Sequence, residues 1–107
     1  MKIKRFEELE CWKAARNLNR LIYEFARRHD FEKDYRLSGQ MTGASISIMN
    51  NICEGFDAGS PNEFVRFLFY SRRSCSELQN CLYIAMDQKY IQEKEFQETY
   101  QLCERVR

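Results

Sequence analysis

Along this chain apolar residues recur at intervals of three and four, the spacing of helices, and not in the alternation expected of strands. From about Glu7 to His29, the positions Cys11, Ala14, Ala15, Leu18, Leu21, Ile22 and Phe25 fall on one face of a first helix. The charged run Asp30 to Arg36 interrupts the pattern and reads as the first connection. A second helix is predicted from about Leu37 to Phe56. Its apolar arc holds Met41, Ile46, Ile48, Met49, Ile52, Cys53 and Phe56 and spans about 160° at roughly 100° per residue, wide enough to touch more than one neighbour. Ser45 is the one polar residue inside that arc. Its hydroxyl can bond the carbonyl one turn back, so its small side chain reads as close packing and not as a nucleophile.

Gly55, Ala58 and Gly59 end the second helix, and Ser60-Pro61-Asn62-Glu63 opens the third. Ser60 suits the cap, Pro61 the first helical position, and Glu63 completes a capping box. The stripe Phe64, Phe67, Leu68, Ser71, Cys75, Leu78, Leu82 and Ala85 then persists until Asp87, Gln88 and Lys89 interrupt it. A fourth helix runs from about Glu93 to Arg107 with Phe96, Tyr100, Cys103 and Val106 on its inner side. Four amphipathic helices with short connections pack most simply as an all-α, up-and-down antiparallel four-helix bundle, a single domain over residues 1–107.

Composition supports that class. Four Gly and one Pro leave few helix breakers, and 44% hydrophobic with 31% charged residues is a globular balance. The 17 basic and 16 acidic side chains nearly cancel, so no whole-molecule field draws the protein to nucleic acid or anionic lipid, and any such site must be a local patch. The first residues carry no apolar signal segment and no later run suits a membrane span, so the expectation is a soluble, cytoplasmic protein. Five cysteines at Cys11, Cys53, Cys75, Cys81 and Cys103 form no CxxC pair and lie on or beside apolar stripes. They read as small core residues, with no metal and no disulfide.

The catalytic inventory is thin. His29 is the only histidine, no nucleotide, zincin or hydrolase motif occurs, and the carboxylates of Glu7/Glu8 and Glu93/Glu95, adjacent or two apart, point in different directions. Neither an enzyme nor a cofactor is expected. Two polar patterns stand out instead. On the second helix Gln40, Ser47, Asn51 and Glu54 line a narrow stripe, bordered by small Gly43, Ala44 and Gly55, and the third helix offers Arg66, Tyr70, Arg73 and Glu77 as a matching line. Paired across the helices or across subunits, these would form a structural network fixing helix register. On the first helix Lys13, Arg16, Arg20 and Arg27 make a basic stripe opposite the core face, flanked by Trp12 and Tyr23, a combination that can grip phosphates and stack on bases; the alternative is that Glu24 interrupts the stripe and that Trp12 and Tyr23 belong to a subunit interface. Val65 and Phe69 lie off the core stripe of the third helix and suggest a second covered surface.

The run Gln40-Met41-Thr42-Gly43-Ala44-Ser45-Ile46-Ser47-Ile48-Met49-Asn50-Asn51-Ile52-Cys53-Glu54-Gly55 resembles the Q-I-R-R-A-A-x-S-I-x-x-N-I-A-E-G of the proteins associated with intervening sequences in 23S ribosomal RNA genes. Phe67-Leu68 through Ser74, with Glu77-Leu78, is similar to that family's F-L-x-x-A-x-G-S-x-x-E-L, and Leu9, Trp12, Ala15 and Tyr23 fit its first helix. Thr42-Gly43 stands where the family has two arginines, and Arg73 where it has a glycine before the serine. The resemblance implies a bundle that assembles into a homo-oligomeric ring, typically of five subunits. It also implies a likeness to the accessory proteins of diversity-generating retroelements, which bind a reverse transcriptase and nucleic acid. It implies no catalysis. The expected function is therefore a non-enzymatic, self-associating accessory protein that contacts RNA or DNA, with a scaffold for protein partners as the alternative.

Overall fold

The computed structural model describes residues 2–107 and measures 44 × 23 × 18 Å. A 3-10 turn over Phe6–Glu8 precedes five helices: α1 Glu10–Ala26, α2 His29–Lys33, α3 Tyr35–Asp57, α4 Pro61–Asp87 and α5 Glu93–Val106. No strand occurs among the described residues, and the all-helical bundle expected from the sequence is the fold.

Side-chain pairings give the topology. Asn19 of α1 bonds Ser45 of α3, Ser47 and Ile48 of α3 meet Ser74 and Ser71 of α4, and Gln79 of α4 reaches Glu104 of α5. Arg28, just past α1, then returns to Glu95 at the start of α5. The long helices therefore alternate in direction, and their order round the bundle is α1, α3, α4, α5. Leu18 and Ile22 of α1, Met41, Ile48 and Ile52 of α3, Leu78 and Leu82 of α4, and Cys103 of α5 are all sealed in the core. Each large apolar chain among them contributes about 1.5–3 kcal/mol by leaving water.

The boundaries depart from the sequence reading where a side chain intervenes. Asp30 to Arg36 is not a plain connection: His29–Lys33 coils into α2, with acidic Asp30 and Glu32 in its first turn and Phe31 buried beneath it. One apolar residue in five gives no periodicity to read. The helix α3 starts two residues earlier than expected because an Asp34 carboxylate oxygen accepts from Leu37 N at 3.1 Å. At α4 only half of the capping box forms. The Ser60 hydroxyl accepts from Glu63 N, but the Glu63 carboxylate turns outward to Arg66 at 3.0 Å. On α3, Ile46 is exposed, so the apolar arc is narrower than the sequence suggests. On α5 it is Thr99, bonded to the Glu95 carbonyl, that shares the buried face with Cys103 and Val106.

After α4 the chain reverses through a left-handed residue, Lys89, at φ 64°. Lys89 N bonds Met86 O and Tyr90 N bonds Ala85 O, both 2.9 Å, the paired closure that usually places glycine at this point. Lys89→Gly should therefore raise stability by up to about 1 kcal/mol, read as a higher urea midpoint at unchanged slope.

Gly55 permits the closest helix approach: a Cβ there would lie 2.6 Å from Phe67 Cβ and 3.1 Å from Phe64 Cδ1. Gly55→Ala should cost about 1–3 kcal/mol, whereas Gly43→Ala, in open space, should leave stability unchanged or improved in the same denaturation experiment.

Candidate nucleic-acid interface and polar seam

The polar stripe of α3 meets α4, though through other groups than the charged pairs expected. Ser47 and Ser74 share a hydroxyl hydrogen bond of 2.9 Å, and Asn51 Nδ2 donates to Ser47 O at 2.8 Å and to Ser47 Oγ at 3.1 Å. Deeper in the seam the Ser71 hydroxyl donates to Ile48 O at 3.2 Å. The sequence marked Ser47 and Asn51 but missed Ser74; its spacing of three from Ser71 and four from Leu78 was the available signal. Gln40, Glu54, Arg73 and Glu77 are exposed, and among the described residues no ion pair joins Glu54 or Glu77 to Arg66 or Arg73. Arg66 is instead held by Glu63 and lies over the Phe67 ring. The expected charged network is thus, within one chain, a serine and amide zipper. Gln40, Ser47 and Glu77 line an open groove of about 360 Å³ with Gly39, Gly43 and Ala44. Asn51, Tyr70, Arg73 and Ser74 line its continuation with Ser47 and Glu77.

The basic stripe is exposed along the outer side of α1. Lys13 pairs with Glu10 at 3.1 Å, and the Arg16 guanidinium stands 5.7 Å from the Trp12 ring centroid. Among the described residues Arg16, Arg20 and Arg27 have no carboxylate partner. Trp12 and Tyr23 lie beside this stripe on a groove between α1 and α3.

A third cluster escaped the sequence reading. Arg28 donates through Nη1 and Nη2 to the two oxygens of Glu95 at 2.9 and 2.5 Å, and its guanidinium stands 4.9 Å from the Phe25 ring centroid. Tyr90 stacks on Phe31 at 4.9 Å, while its hydroxyl donates to Asp34 at 3.0 Å. Arg28 and the hydrogen bond from Gln92 N hold the Glu95 carboxyl at about 2, well below its ordinary range, against the opposing effect of partial burial. His29, beside this buckle, is exposed with its ring 3.9 Å from Asp30.

Burial pushes the Cys75 thiol up to about 11 and raises that of Cys103 further, so both stay protonated and neither supplies a thiolate near neutral pH. Among the described residues no helix is long and apolar enough to cross a membrane, and no three His, Cys, Asp or Glu side chains gather to hold a metal.

Fold and surface together define a small helix bundle with a polar seam on one side of α3 and an aromatic, arginine-flanked groove on the other. The sequence model of the 23S rRNA-intervening sequence proteins matches residues 7–107, and the chain belongs to that family. No curated protein matches it.

The depressed Glu95 carboxyl makes a signed pH prediction. Its contribution is complete above the ordinary carboxylate value of about 4.5 and is lost as pH falls from there through about 2. With Arg28 partly exposed, Glu95→Gln should cost about 1 kcal/mol at neutral pH. In melts followed by circular dichroism at several pH values, the gap between variant and wild type should close in acid.

Proposed function

We propose that the protein is a non-enzymatic, self-associating bundle that binds RNA through the outer face of α1. The observation that carries this reading is the set of unpaired arginines, Arg16, Arg20 and Arg27, beside Trp12 and Tyr23, in a chain whose family is described by its place in 23S rRNA intervening sequences. With a net charge of only +1, attraction to phosphate has to come from such a local patch. Self-association is supported by apolar side chains left on the outside: Val65 is 53% exposed and Phe69 57%. A ring, with five subunits as the proposed number, would repeat the α1 stripe and turn modest contacts into useful avidity, because each bound subunit raises the effective concentration of the next. A reverse transcriptase or another protein is the proposed second partner, met on the remaining surface. The cytoplasm is the proposed location.

Binding should be mainly electrostatic, with retardation of RNA that weakens steeply with salt. Replacing Arg16 and Arg20 together by Glu should abolish retardation and leave the helical spectrum and melting temperature intact, since both side chains face solvent. Failure of the wild-type protein to retard single-stranded or duplex RNA at low salt would sink the RNA assignment in favour of a protein scaffold. A concentration-independent monomer mass in light scattering would sink self-association.

A further inference from the structure

The groove between α1 and α3 has a volume of about 500 Å³ and is lined by Phe6, Trp12, Asn19, Tyr23, Ile46, Met49, Asn50 and Cys53. No lining side chain is charged. Ile46, Met49, Asn50 and Cys53 sit at offsets of three, four and seven along α3, so they form one wall. Trp12, Asn19 and Tyr23 cluster on one line of α1 and form the other, and Phe6 closes the lower end edge-on to Trp12 with ring centroids 5.5 Å apart. At about 100° per residue, Arg16, Arg27 and Arg20 follow the Trp12 line round α1 by roughly 40°, 60° and 80°, so they edge the groove on its solvent side.

Two amides add polar edges to these aromatic walls. Asn19 donates Nδ2 to Ser45 Oγ at 2.9 Å, and Ser45 in turn donates to Thr42 O at 3.0 Å. The Asn19 amide is thereby fixed in orientation, and among the described residues its oxygen accepts no hydrogen bond. Asn50 is exposed, and among the described residues its side-chain amide makes no hydrogen bond. An uncharged aromatic slot with free amide edges and arginines along one lip complements a flat heteroaromatic ring attached to a phosphate chain. The apolar walls take the ring faces, the amides the ring edge, and the arginines the phosphates.

Resting on the RNA-binding reading above, we propose that this groove is a nucleobase pocket, which takes an unstacked base of single-stranded RNA while Arg16 and Arg20 hold the flanking phosphates. The bases of a duplex are stacked inward and cannot enter. The proposed RNA partner is thereby narrowed to unpaired segments, loops or ends.

Trp12 is the single tryptophan, so its fluorescence reports on the groove directly. The test titrates the protein with short oligoadenylate, with an RNA duplex of equal length, and with an abasic strand that keeps the phosphates, following retardation and Trp12 emission together. The expected result is quenching by oligoadenylate alone, in step with binding, whereas duplex and abasic strands bind more weakly and do not quench. Tyr23→Ala, at an exposed position, should weaken oligoadenylate binding roughly ten-fold with little effect on the duplex, and Tyr23→Phe should restore it. Retardation of all three probes with unchanged Trp12 emission overturns the pocket and leaves RNA binding by α1 standing. Retardation of none overturns both. If raising the protein concentration without RNA shields Trp12 from acrylamide, a second copy fills the groove and the pocket assignment falls.

Discussion

The close approach of α3 and α4 is the constraint on which the other contacts depend. Where Gly55 meets Phe64 and Phe67 there is no room for a Cβ, and further along the same pair of helices the contacts are made by Ser47, Ser71 and Ser74. Small side chains let the two backbones come near enough for hydroxyls to reach a carbonyl and one another across the gap. A hydroxyl in such a seam has to find a partner, because leaving it dry and unpaired costs about 1–3 kcal/mol. No buried side-chain nitrogen or oxygen among the described residues lacks one.

With α3 committed on that side, its other flank decides where α1 lies. Ser45 is at the centre of this second contact, 1% exposed, accepting from Asn19 and donating to Thr42. It sits where an alanine would pack equally well, and its hydroxyl instead orients the Asn19 amide. The far end of the bundle is closed by a different device, the Arg28–Glu95 pair together with Phe31 stacked on Tyr90. That buckle joins the turn after α1 to the start of α5. It explains why α1 stops at Ala26, since Arg28 adopts an extended conformation, ψ 146°, and its guanidinium reaches Glu95. The ring order of the helices is marked by the α3–α4 seam, the Asn19–Ser45 bond, the Gln79–Glu104 bond and the Arg28–Glu95 clasp, all set round one shared apolar core.

What could be read from the sequence was periodic. Leu18, Ile22, Met41, Ile48, Ile52, Leu78 and Leu82 repeat at helical spacing, and all are buried where that spacing puts them. Pro61 and Ser60 marked the start of α4 because a cap is a local signal. What could not be read was long-range. Arg28 and Glu95 are 67 residues apart, and nothing in either neighbourhood distinguishes them from other surface charges. The polar line on α3 was visible as a line, but within one chain it meets other groups than the charged partners expected. Charge complementarity pointed to Arg66 and Arg73, whereas within one chain both are exposed and it is buried Ser74 that meets Ser47. Which way a helix turns its side chains toward a neighbour is a tertiary quantity, and it decides which of two plausible partners can reach.

The two flanks of α3 consequently face different tasks. On the α4 side small residues bring the helices together, and the polar groups satisfy one another. On the α1 side Ile46, Met49 and Cys53 are larger, α1 presents Trp12 and Tyr23, and the helices leave an open slot between them. A slot of that kind is costly for a fold that only has to be stable, because its walls forgo the dispersion contacts that a filled interface would provide. A larger side chain at Ile46 would fill part of it without touching the seam. The slot also lies beside the arginine-bearing side of α1 and away from the α3–α4 seam, so the two flanks of α3 present separate surfaces on the same bundle.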